Sequence, residues 1–125
     1  MKKIIMLMTL LLLTSCGNDT DRYNFTGSSD NWDMNYVVNV TGVDSQEKSG
    51  TVTYTGEGQA PETVDYKITT SSAGSDGTGV GLENGAGNIG TVTCGGCAVI
   101  QKDENIQVEI SWNGQTEELV LTNEN

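Results

Sequence analysis

The 125-residue chain contains no histidine. Its absence removes the usual activating partner of a serine or cysteine nucleophile, and it leaves a metal site without its common nitrogen ligand. The chain also lacks a Gly-x-Ser-x-Gly turn, a glycine-rich loop ending in Gly-Lys-Ser/Thr, and a Gly-Gly-x-Gly-x-Asp repeat. Those gaps exclude the hydrolase elbow, the phosphate-cradling loop and the repeated calcium site. A Ser-Lys pair is compatible with the composition, but no spacing points to one, and the chain reads as a non-enzyme without a cofactor. Basic side chains are scarce, six Lys+Arg against seventeen Asp+Glu. Nucleic acids, anionic lipid surfaces and polyanionic wall polymers should therefore be repelled. Cations, basic proteins and neutral glycans remain as partner classes. The one long apolar run, Ile4 to Leu13, is broken only by Thr9. It is too short to span a bilayer, which takes about 20 residues.

What the run does match is a secretory signal: Met1-Lys2-Lys3 forms a basic start, the apolar stretch follows, and small residues stand at its end. That end, Leu13-Thr14-Ser15-Cys16, resembles the lipobox of bacterial lipoproteins, an aliphatic residue and two small residues before a cysteine. The resemblance covers residues 1 to 16. It implies a signal peptide over 1–15, transfer of a diacylglyceryl group to the Cys16 sulfur, and cleavage just before Cys16. Two acyl chains, at about 0.8 kcal/mol per buried CH₂, hold where one gives marginal binding. The implied address is the cell membrane, lipid-anchored on its extracytoplasmic face, with no transmembrane helix. The remainder, an Asn/Thr/Gly-rich domain poor in lysine, is similar to small uncharacterised lipoproteins of Gram-positive bacteria. Loss of the signal would take Lys2 and Lys3 but no acid, leaving four bases against seventeen acids, a side-chain balance of −13.

Residues 16–31 are expected to be the lipidated cysteine and a flexible tether, because Asn18-Asp19-Thr20-Asp21 and Gly27-Ser28-Ser29-Asp30-Asn31 show no apolar periodicity. A coil of that length reaches about 20 Å. Residues 32–125 then make a single domain with a modest core. Trp32, Met34, Tyr36, Val38 and Val40 alternate with mostly polar residues, the pattern of a half-buried antiparallel strand. Shorter strands are expected over 51–55 and 63–70, with Val52, Tyr54, Val64, Tyr66 and Ile68 inward. Further ones are expected near 80–82, 91–94 and 97–101.

The last hairpin can be set in register from its turn. Asn113-Gly114 favours a two-residue loop with both residues at positive φ, so Trp112 should face Gln115, Ile110 Glu117, Val108 Leu119 and Ile106 Leu121. A slip of one residue would send this apolar set to the other face. About eight short strands and no helix predict an all-β fold, an immunoglobulin-like antiparallel β-sandwich.

Three features bear on chemistry. Cys94-Gly95-Gly96-Cys97 reads first as a disulfide across a two-residue turn, stabilising by about 2 kcal/mol on the loop-entropy relation. Its spacing also suits a thiol-disulfide redox centre, although no helix N-terminus is expected beside it and the nearest cation in sequence is Lys102. Two cysteines make only half a tetrahedral metal set. Glu109 and Glu118 should lie opposite each other on the outer face, where like charges are unfavourable without solvent or a cation between them. Two carboxylates fall short of a calcium shell, so they are a weak metal candidate beside a solvated-face reading. The glycine-rich stretch 74–90 reads as an edge hairpin or mobile loop, with close approach to a ligand as the alternative. Trp32 and Trp112 read as core-edge packing, with a sugar platform as the alternative. The function expected is a binding or interaction module of the cell envelope, its partner an envelope protein or a neutral glycan. A redox protein using Cys94 and Cys97, or a cation-binding module, are the alternatives.

Overall fold

The computed structural model describes residues 21–71 and 74–124, so Cys16 and the lipobox lie outside the described residues. Within them every regular element is a strand: β1 (Asp21–Ser28), β2 (Trp32–Gly42), β3 (Ser45–Tyr54), β4 (Thr63–Thr69), β5 (Ser75–Gly81), β6 (Ala86–Gly95), β7 (Ile106–Trp112) and β8 (Gln115–Asn123). All pairings are antiparallel, and the strands follow one another in a single sheet, β5-β4-β7-β8-β1-β2-β3-β6.

The all-β expectation and the strand number hold, but the two-sheet immunoglobulin-like sandwich does not. Hydrogen bonding passes from one half of the sheet to the other through β8 and β1, at Phe25 with Asn123 and Thr26 with Thr122. The sheet curls until its two end strands approach, which makes the domain barrel-like. A Cβ at Gly27 would run into the Val120 carbonyl, so glycine permits the close β1–β8 passage there. At the opposite seam a Cβ at Gly87 would meet Leu82 and the Gly81 carbonyl. Glycine-rich residues 74–90 thus form all of β5 and the start of β6, the two ends of the sheet.

Alternation decides the core. Trp32, Met34, Tyr36 and Val38 of β2 point inward, as do Val64, Tyr66 and Ile68 of β4 and Ile106, Val108, Ile110 and Trp112 of β7. The final hairpin has the expected register throughout, from Ile106 with Leu121 to Trp112 with Gln115. Asn113 and Gly114 have φ of 47° and 77°, the signs that a two-residue turn of this hand requires.

Two sequence expectations are corrected. Residues 21–28, expected within the tether, are β1, a central strand between β8 and β2, with Phe25 fully buried. Its apolar content is small because one aromatic suffices once neighbours supply both ladders. Residues 97–101 are not a strand. The chain instead crosses the end of the barrel, and Ile100 drops into the core. Trp32, Tyr54 and Trp112 close the opposite end, with Trp32 packed edge to face on both, at 5.2 and 5.4 Å between ring centroids. Their indoles are core, so the sugar-platform reading is withdrawn.

Candidate functional site

The corner where β6 ends brings the chemically distinctive residues together. β3 begins at Ser45, and its inward side chains are Gln46, Lys48, the Gly50 gap and Val52. Two of these are polar, so the alternation carries no apolar signal and the first half of the strand is invisible to a hydrophobic pattern. In the register Gln46 lies opposite Cys94. Cys94 is joined to Cys97 by a disulfide with 6.2 Å between Cα atoms.

No second strand follows to make the expected hairpin. The Cys97 N–H donates to the Asp44 carbonyl (2.9 Å), and the chain then turns across the barrel end. Gln46, only 2% exposed, holds this crossing by both halves of its amide. Its Oε1 accepts from the Ile100 N–H (2.8 Å), and its Nε2 donates to the Ala98 carbonyl (3.3 Å) and lies 3.8 Å from the Cys97 sulfur. A buried amide thus satisfies backbone groups that have no ladder partner.

On the outer face, Glu109 and Glu118 do stand opposite each other. The adjoining register explains how the pair is tolerated, since Lys67 of β4 lies beside Glu109 and Asp76 of β5 beside Lys67. Acid, base, acid, acid runs across four strands, and the cation offsets the like-charge opposition. Among the described residues no group of three or more metal-binding side chains gathers.

Glu117 has a structural task. Its carboxylate accepts from the Ser29 hydroxyl (2.6 Å), the Asn31 N–H (3.0 Å) and the Asn31 side-chain amide. Partial desolvation works against the charge, but these hydrogen bonds prevail and hold the carboxyl below its ordinary value. The β1–β2 turn is thereby clamped to the tip of β8. Inside, burial pushes the Tyr36 phenol up to about 12, against a Ser75 hydrogen bond that favours ionisation and with Tyr66 adding to the rise. Tyr36 of β2 and Ser75 of β5 meet across the interior, so the barrel is filled from wall to wall.

The surface concavities are open and polar. One, of about 730 Å³ on the outer face of β1 to β3, is lined by Thr26, Ser28, Asp33, Asn35, Thr51 and Thr53 among others. Its hydroxyls and amide share the lining with the Asp33 and Glu124 carboxylates, groups that can hydrogen-bond a polar ligand. Another open feature is the seam. Beyond a single bridge between Glu83 and Ala86, no ladder joins β5 to β6 among the described residues. Comparison with protein-family models, curated proteins and solved structures finds no match for this chain.

Proposed function

We propose that the chain is a lipoprotein of the cell envelope, held by acyl chains on Cys16, whose small acidic β-domain is a binding module and not an enzyme. The observation that carries the reading is the run Leu13-Thr14-Ser15-Cys16 behind a short apolar segment and two lysines. Palmitate-type chains on that cysteine would place the domain on the extracytoplasmic face of the membrane, in the outer leaflet of a single bilayer. Four residues separate Cys16 from Asp21, where β1 begins. At about 3.5 Å per residue the link extends at most about 17 Å, so the domain would sit closer to the headgroups than a fifteen-residue leash allows. Asp21 pairs with Val40, and the β2–β3 turn and the Cys94–Cys97 corner would share that membrane-proximal end.

Intact-mass measurement of the protein purified from its native membrane tests the anchor, with and without reduction and alkylation. A diacylglyceryl mass on a chain starting at Cys16, with two thiols alkylated only after reduction, is the expected result. An unlipidated chain starting elsewhere refutes it. Binding is tested by capture of envelope proteins or neutral glycans on the purified protein.

One observation favours a second reading, an extracytoplasmic thiol-disulfide protein: the Gln46 amide lies beside the Cys97 sulfur. On that reading, replacing Cys94 and Cys97 with serine abolishes a dithiol-dependent activity. On the structural reading it lowers stability alone.

A further inference from the structure

The two ends of the sheet are protected unequally. β5 carries an exposed acid, Asp76, and its pairing with β4 shifts register between Val64 and Tyr66. Gly79 there has φ +67°, and its N–H donates to the Asp65 carboxylate (2.9 Å). A charge, an irregular ladder and a donor already used are the devices by which natural sheets discourage further pairing.

β6 has its own irregularity at Gly90, with φ +86°, where its pairing with β3 shifts register between Ser49 and Thr51 and the Gly90 N–H donates to the Asn88 side chain (2.7 Å); past it, residues 91–95 pair with β3 without a break. From residue 91 to 95 it reads Thr-Val-Thr-Cys-Gly, without charge or proline. Thr91, Val92 and Thr93 are all exposed, Val92 by 45% despite strong strand preference. One side of this stretch pairs with β3 from Ser45 to Ser49; no ladder covers the other among the described residues. The disulfide from Cys94 to Cys97 ties down its end, which lowers the ordering cost of receiving a partner.

Acids border this end of the sheet. Glu47 of β3 is opposite Thr93, and the other end strand, β5, carries Asp76 beside Lys67. With the chain's formal net charge of −11, a second copy of the chain would meet repulsion and a basic segment attraction. We infer that residues 91–95 of β6 are a strand-acceptor edge that takes up an extended, lysine- or arginine-bearing segment of a partner protein. Main-chain hydrogen bonds would give affinity and the bordering acids the choice of partner. This inference rests on the binding-module reading but not on the lipid anchor.

The test uses the full chain in neutral detergent and a fluorescent peptide of alternating lysine and valine, beside a glutamate–valine counterpart and a lysine–valine peptide N-methylated along one edge. The expected result is binding of the first peptide alone, with slowed amide exchange confined to residues 91–95. Val92→Lys, a surface change, should weaken binding about fivefold, the equivalent of about 1 kcal/mol for a like charge on a facing strand. Equal binding of the N-methylated peptide, or no binding of the parent, overturns the inference. So does a dimer that Val92→Lys dissolves without any peptide binding, since the occupant is then a second copy. Capture of the same envelope protein by wild type and Val92→Lys alike would leave the binding module standing and remove the edge from it.

Discussion

Replacing Gln46 with alanine should destabilise the domain more than opening the disulfide does. The amide supplies the acceptor for the Ile100 N–H and the donor to the Ala98 carbonyl, both where the chain crosses the barrel end. Each such bond contributes about 1 kcal/mol net, and a buried N–H left without a partner costs a further 1–3 kcal/mol or so. The sum is about 3–5 kcal/mol. With unfolding entropy near 2.1 cal/mol/K per residue, a domain of roughly this size should lose about 14–23 °C in Tm. Serine at both Cys94 and Cys97 removes a closure worth about 2 kcal/mol on the loop-entropy relation. Both changes release the same crossing, so the triple variant should lose less than the separate losses combined. The assay is thermal unfolding followed by circular dichroism under one buffer, backed by urea titration to obtain free energies. A Gln46→Ala loss under about 0.5 kcal/mol, or strict additivity with the cysteine pair, would refute the view that Gln46 and the disulfide hold one segment.

Phe25→Ala should cost about 3–5 kcal/mol in urea unfolding, as for other fully buried aromatics; a neutral result would return residues 21–28 to the tether. Glu117 has a depressed carboxyl pKa, so its contribution is present above the ordinary carboxylate range and is lost as pH falls through the folded value. Glu117→Gln should therefore lower stability at neutral pH and flatten the acid limb of a stability–pH curve. Tyr36 behaves in the opposite sense: its stabilisation is complete below about pH 10 and is lost as pH rises toward about 12. In that window wild type should lose stability relative to Tyr36→Phe by about 1.4 kcal/mol per pH unit, a difference that isolates this tyrosine from the others.

The legible parts of the sequence were those where local chemistry and pattern agree. Alternation in β2, β4 and β7 marked the inward faces, and Asn113-Gly114 fixed a hairpin to the residue, including the Glu109–Glu118 opposition. Asn84-Gly85 carries the same signal, with φ of 54° and 81° at the β5–β6 turn; the surrounding glycines hid it. The candidate site was half legible: the cysteine pair was plain, whereas Gln46, its closest polar neighbour, lies more than 45 positions away in sequence.

Sequence by itself determined the all-β class, the acidic surface and the pairings across the last turn, because period-two burial and turn stereochemistry act over a few residues. The tertiary structure alone decided that Asp21–Ser28 is a central strand, that β8 and β1 join two halves into one curled sheet, and that residues 97–101 plug an end instead of pairing. Each outcome turns on where backbone hydrogen bonds find partners far along the chain. A lone Phe25, a polar Gln46 and a Gly27 without a side chain carry no local sign of the neighbours that make them indispensable.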